Sequence, residues 1–204
     1  MLFRFVLAAV LTLLPVRVLA EPPELFKVIN VASDDVLNIR ASASAQSEIL
    51  GAYPFDADGI EVVAIDPSGR WAMVGLPEGN GWVARRFLAS DPVDRPLKCF
   101  GTEPFWSLTV AEPDSTLVTP DIGPLTLNTS RAQSFLQTSS GIQGMELNGL
   151  DHSLSAIIRP RQCNDGMSDR EFGWGIDLLW RMGFGGEGGS ELVHVTGCCT
   201  KEDR

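Results

Sequence analysis

Along most of the chain apolar residues come in short runs or on alternate positions, and no ten-residue stretch carries a helical period. In the first half the runs are Phe26 to Val31, Val36 to Ile39, Ile60 to Ile65, Trp71 to Leu76 and Trp82 to Ala84. Turn formers separate them: Ser33-Asp34-Asp35, Asp56-Ala57-Asp58-Gly59, Asp66-Pro67-Ser68-Gly69 and Pro77-Glu78-Gly79-Asn80-Gly81. Short strands at close, even spacing predict a small barrel. Successive side chains of a strand point to opposite faces, so Leu37 and Ile39 are expected in the core, with Asn38 and Arg40 facing outward.

The second half is also β in pattern. Phe172, Trp174, Ile176, Leu178, Trp180 and Met182 occupy every second position, which predicts a long strand with one buried face. Trp106, Leu108 and Val110 repeat the alternation on a shorter scale. Gly183 to Gly189, with five glycines, predicts a flexible turn into a strand from Leu192 to Thr196. Between the halves, Ala89 to Leu97 holds two prolines and three charges and reads as a linker. The expected organisation is a first β unit at 24–90, a linker at 91–97 and a second β unit at 98–204. Their lengths, about 65 and about 105 residues, are both workable for a domain, the first near the lower limit.

Ahead of these units, Met1-Leu2-Phe3-Arg4 gives a short basic start, Phe5 to Leu14 an apolar run, and Val18-Leu19-Ala20 a small-residue exit. This is the layout of a secretory signal peptide, with cleavage expected after Ala20. The apolar run stops at Pro15 and is followed by Arg17, short of the ~20 residues that span a bilayer, so no membrane insertion is expected after cleavage. The net charge is −10, and removing residues 1–20 takes away Arg4 and Arg17 but no acidic residue. Nucleic acid is thereby an unsuitable partner, since phosphate binding needs a basic footprint. All four cysteines, Cys99, Cys163, Cys198 and Cys199, lie in the exported part. An even count in an oxidising compartment predicts two disulfides and a periplasmic or secreted location. The lack of a Cys-x-x-Cys pair, and the wide separation of His152 and His194, argue against a metal site, and no cofactor is implied. Cys198 and Cys199 are adjacent, and neighbours in a strand face opposite ways, so each is expected to take a different partner.

Several segments resemble known families. Val36-Leu37-Asn38-Ile39-Arg40, Ile49-Leu50-Gly51, Gly69-Arg70-Trp71-Ala72-Met73-Val74 and Gly81-Trp82-Val83-Ala84 with Phe87-Leu88 are similar to the bacterial SH3-like domain, over about Leu25 to Ala89. The chain departs from that pattern at Ala41-Ser42-Ala43-Ser44, where the family usually has a Ser-Gly-Pro type turn. In the second unit, Gly101-Thr102-Glu103-Pro104-Phe105-Trp106, the segment Cys163 to Arg170 and Gly197-Cys198 resemble an uncharacterised bacterial envelope family. The Cys…Met-Ser…Gly-Cys layout is more remotely similar to small envelope β-barrels that include inhibitors of C-type lysozyme. The resemblance implies the pairing Cys163–Cys198, leaving Cys99–Cys199.

Bacterial SH3-like domains often accompany wall-cleaving cysteine peptidases, but here each cysteine has an expected disulfide partner. Neither a Gly-x-Ser-x-Gly elbow nor His-Glu-x-x-His occurs. No catalytic residue is therefore assigned, with paired carboxylates as in glycosidases left as the open alternative. Candidate ligand contacts in the first unit are Asn38, Arg40, Tyr53, Trp71 and Trp82. Tyr53, the only tyrosine, follows an expected turn at Ile49-Leu50-Gly51 and is expected to border a groove, and the two tryptophans either stack on a ligand or fill the small barrel. In the second unit the polar segment Asn164 to Glu171 is expected to be an exposed loop offering Asp165, Ser168, Asp169 and Arg170 to a partner. The alternative is that Asp165 and Ser168 cap a turn while Arg170 pairs with Glu171 or Asp169. The expected function is an exported envelope protein, not an enzyme, that binds a peptide or peptidoglycan segment through its SH3-like unit. The alternatives are an inhibitor of a lysozyme-type lytic enzyme and an envelope scaffold with a protein partner.

Overall fold

The computed structural model of the chain describes residues 23–202, apart from 94, 122, 132–140, 151 and 183–190. The expected signal peptide and the whole glycine-rich turn, Gly183 to Gly189, lie outside the described residues. The fold is almost entirely β, as the apolar pattern predicts.

Seven strands, β1 (Glu24–Val28), β2 (Val36–Arg40), β3 (Ile49–Pro54), β4 (Ile60–Ile65), β5 (Trp71–Leu76), β6 (Gly79–Ala84) and β7 (Leu88–Ser90), form one sheet in the order β3-β2-β6-β5-β4-β1-β7. A 3-10 turn, Arg85–Phe87, joins β6 to β7. Leu37 and Ile39 are buried as expected. Tyr53 from one edge strand and Leu88 from the other belong to one continuous core with Ile60, Val74 and Val83, so the sheet curls around that core. Two elements differ from the pattern-based expectation. Ile49-Leu50-Gly51 opens strand β3 and is not a turn; Ile49 and Leu50 are both exposed and leave no alternation to read. The Pro77 to Gly81 turn shrinks to Pro77-Glu78, because Leu76 and Gly79 already pair across the hairpin.

Eight further strands, β8 (Leu97–Thr102), β9 (Phe105–Val110), β10 (Asp114–Thr119), β11 (Gly123–Arg131), β12 (Gln143–Asn148), β13 (His152–Asn164), β14 (Glu171–Met182) and β15 (Glu191–Thr200), close into a barrel in the order β10-β11-β12-β13-β14-β15-β8-β9. Phe172, Trp174, Ile176, Leu178 and Trp180 of β14 are all buried, as are Trp106, Leu108 and Val110 of β9. Each such side chain contributes roughly 1.5–3 kcal/mol by leaving water. An eight-stranded barrel is just wide enough for side chains to fill, and leucines, isoleucines and tryptophans from seven of the strands do so here, with Val195 and Cys199 from β15.

Both disulfides form as expected, Cys99–Cys199 and Cys163–Cys198. Adjacent residues of β15 face opposite ways: Cys199 sits in the barrel core opposite its register partner Cys99, while Cys198 reaches Cys163 on β13. Two disulfides fit a non-cytoplasmic, oxidising compartment. No helix among the described residues is long and apolar enough to cross a membrane.

The segment after β7 is held to the first sheet. The Asp91 amide donates to Leu25 O (2.7 Å), and Asp91 Oδ2 accepts from the Gly59 amide (3.0 Å). Sheet and barrel then meet through Glu61 of β4. Its Oε1 accepts from the Gly173 amide (2.9 Å), and its Oε2 accepts from the Thr200 hydroxyl (2.7 Å) and the Lys201 amide (2.8 Å). Gly173 is required by this approach: a Cβ there would lie 2.5 Å from the Pro23 side chain and 3.0 Å from Glu61 Oε1.

Candidate functional site

Three neighbouring strands of the first sheet, β2, β6 and β5, carry most of the residues singled out in that unit. Arg40, Trp82 and Met73 are register partners across them, and Ala84 pairs with Trp71 in the next rank. Side-chain alternation places Asn38, Arg40, Trp82 and Trp71 on the face opposite the buried Leu37, Ile39, Val83 and Ala72. Trp71 and Trp82 are half-buried and stand outside the core cluster. Tyr53, by contrast, is register partner to Leu37 and packs in the core, so it is a structural residue and not the border of a groove.

Trp71 forms the wall between two hollows. One, about 480 Å³, is lined by Asn30, Asp35, Asn38, Arg40, Arg86 and Phe87 besides Trp71. The other, about 630 Å³, includes Gln46, Arg70, Arg85 and Arg86. Ala45, Trp71, Ala84 and Arg86 border both, which makes them one interrupted groove.

Local hydrogen bonding explains how these side chains arrive there. Asp66 closes the β4–β5 turn: its Oδ1 accepts from the Trp71 and Arg70 amides (2.7 and 2.9 Å), and its Oδ2 accepts from the Ser68 hydroxyl (2.6 Å). The Ser68 hydroxyl and these amides hold the Asp66 carboxyl down at about 2, so it stays a full acceptor at neutral pH. Asn30 takes the left-handed conformation (φ 56°), which asparagine tolerates, and turns the chain after β1 into the wall that ends at Asp35. Across the groove, Arg40 Nη1 donates to Ser47 O (2.7 Å) and ties down the loop from Ala41 to Glu48. The Arg86 guanidinium lies 4.7 Å over the Phe87 ring, a cation–π contact.

The segment Asn164 to Glu171 is a turn held by its own side chains. Asp165 Oδ1 accepts from the Met167 and Ser168 amides (both 3.0 Å), and Asn164 Nδ2 donates to Ser168 O (3.1 Å) and Arg170 O (3.2 Å). Desolvation raises the Asp165 carboxyl, but the hydrogen bonds from Ser168 and Met167 outweigh it and lower its pKa. The far end of the loop belongs to the contact with the first sheet. Asn80 Nδ2 donates to Asp169 O (2.9 Å), and Asn80 Oδ1 accepts from the Glu171 amide (3.1 Å). Arg170 pairs with Glu202 at 2.7 Å, not with Asp169 or Glu171, and its guanidinium lies 4.8 Å over the Phe172 ring. The side chains of Asp165, Ser168 and Arg170 thus hold a turn and a joint, while Asp169 takes part through its backbone carbonyl and keeps its side chain exposed.

Sequence reasoning missed Arg70, Arg85 and Arg86 as contributors to the groove, and Glu61, Asn80 and Glu202 as the joint. A usable signal for the first set was present. Residues 24–90 contain five basic side chains against nine acidic ones, and four of the five, Arg40, Arg70, Arg85 and Arg86, fall at the groove. Among the described residues, no group of His, Cys, Asp and Glu is placed to hold a metal ion. Set beside known proteins, the chain matches no family model, no curated protein and no solved structure.

Proposed function

We propose that the chain is an exported, cell-envelope binding protein of the periplasm or the extracellular space, and that its first unit is a bacterial SH3-like domain. In this reading an extended peptide, as part of peptidoglycan, lies in the groove on either side of Trp71, and the disulfide-bonded barrel is the rigid body that carries it. The single observation behind the reading is the half-buried Trp71 standing between two open hollows, with Arg86 common to both. A large aromatic ring at such a place offers contact area to a flat or apolar ligand segment at little entropic cost. The basic N-terminal segment with its apolar run supports export, and the two disulfides support an oxidising destination. The inhibitor alternative has less behind it, since the Asp165, Ser168 and Arg170 side chains are engaged within the chain, as is the backbone carbonyl of Asp169.

Co-sedimentation of the mature, oxidised protein with purified peptidoglycan at low salt tests this. The wild type is expected to pellet, and Trp71→Ala, checked for an unchanged melting profile, is expected to stay in the supernatant. A wild type that stays wholly in the supernatant while a known wall binder pellets would overturn the reading.

A further inference from the structure

We infer that the groove at Trp71 is a carboxylate-recognition site: its ligand is an acidic peptide whose side-chain or terminal carboxylate sits between Arg70 and Arg86. The inference rests on reading that groove as a peptide site and names the chemistry the peptide must carry.

Charge distribution carries the argument. The chain is net acidic at −10, yet four of the five basic residues between 24 and 90 converge on this one feature. Clustered like charges repel, and nearby carboxylates normally relieve that repulsion. For three of the four they do not: Arg40, Arg70 and Arg86 make no ion pair with any described residue. Arg40 spends one N–H on Ser47 O, Arg70 donates through Nε to the Ser68 hydroxyl (3.2 Å), and Arg86 rests its face on Phe87. Guanidinium N–H groups on all three remain for a ligand, in the planar fork that matches a carboxylate with two parallel hydrogen bonds.

The two hollows also differ, which sets an orientation. No acidic residue lines the larger one, which holds Arg70, Arg85 and Arg86, whereas Asp35 lines the smaller one beside Arg40 and Arg86. A ligand carboxylate is favoured in the first and opposed by Asp35 in the second. The smaller hollow therefore takes the uncharged or amine-bearing part of the same peptide, with Asn38 available to hydrogen-bond its backbone. Trp71, between them, packs against the segment that crosses.

The test uses two probe peptides, acetyl-Ala-Glu-Ala-Ala as the free acid and acetyl-Ala-Gln-Ala-Ala amide, titrated calorimetrically into the mature oxidised protein. Inorganic phosphate serves as a third, non-peptide anion. The acid peptide is expected to bind at least about tenfold more tightly than its neutral twin, a difference of ~1.4 kcal/mol. Added salt should erode that preference. Arg70→Gln combined with Arg86→Gln, both exposed positions, should abolish the preference without moving the melting temperature; Arg86→Lys should keep part of it. Equal binding of the twins, no binding of either, or a preference that survives the double variant would overturn the inference. So would phosphate displacing the acid peptide completely at equal concentration, which would mark a general anion site. Wall binding that depends on Trp71 but ignores ligand charge would leave the peptide-site reading standing and remove this inference alone. Conversely, tight acid-peptide binding with no retention on peptidoglycan would remove the wall assignment and keep the carboxylate site.

Discussion

Raising the pH should loosen the joint between sheet and barrel through one buried carboxyl group. Burial pushes the Glu61 carboxyl up from its ordinary 4.5 to about 7, with the Glu202 carboxylate adding to the rise. The Lys201 and Gly173 amides and the Thr200 hydroxyl pull the other way without offsetting burial. The charged groups facing Glu61 are Glu202 and, through its ion pair with Glu202, Arg170. The folded chain therefore keeps a proton on Glu61 over a range where the unfolded chain has released it. Stability from this group is complete below pH 4.5 and is lost as pH rises through about 7. A gap of roughly two and a half pH units is worth about 3 kcal/mol at about 1.4 kcal/mol each. Thr200 suits both states, since its hydroxyl, 2.7 Å from Oε2, can donate to the carboxylate or accept from the acid. The perturbation is Glu61→Gln, which does not titrate. Urea unfolding of both oxidised proteins between pH 4.5 and 8 should show the wild type's advantage over the variant shrinking by about 3 kcal/mol. An advantage that is constant, or that grows with pH, would refute the reasoning, because it would mean that the three donors hold Glu61 ionised.

Other consequences are checked more simply. Opening Cys163–Cys198, which spans 35 residues, should cost about 4 kcal/mol, and opening Cys99–Cys199, which spans 100, about 5 kcal/mol in the chain-entropy model; paired Cys→Ala variants in a urea titration give the values. Leu147→Ala, at a fully buried position in the barrel core, should lose about 2–5 kcal/mol of unfolding free energy. Asp165→Ala removes the acceptor that holds the Met167 and Ser168 amides and should lower stability by about 1 kcal/mol while leaving sedimentation with peptidoglycan unchanged. Because the Asp165 pKa is depressed, that deficit should fade as the pH is lowered and the carboxyl is protonated.

How far the sequence could be read depended on whether a feature is periodic or assembled from distant parts. Phe172 to Trp180 alternate so regularly that β14 and its buried face follow directly. The opposed directions of Cys198 and Cys199 likewise require separate partners, though choosing those partners needed the family resemblance. Strand β3 was illegible because Ile49 and Leu50 are exposed in succession, with the curled sheet covering neither. Tyr53 looked like a groove residue because a lone tyrosine after a supposed turn has no visible periodic partner; only its register with Leu37 shows that it faces inward. The groove joins Arg40 to Ala84 and Trp71 through the strand order β2-β6-β5, which no local pattern encodes, and it leaves out Trp82, which lines neither hollow. Glu61, inside Ile60-Glu61-Val62-Val63, reads as an ordinary solvent-facing strand residue; its burial comes from Gly173, Thr200 and Lys201, more than a hundred residues away.

Hydrogen exchange of the mature oxidised protein, with and without saturating soluble peptidoglycan fragments, tests the central claim most directly. Ligand-dependent protection is predicted for the backbone amides of residues 30–40 and 84–87, on the two sides of Trp71, with 164–171 unchanged. Protection confined to the barrel or to 164–171, or no protection at all, would contradict the account.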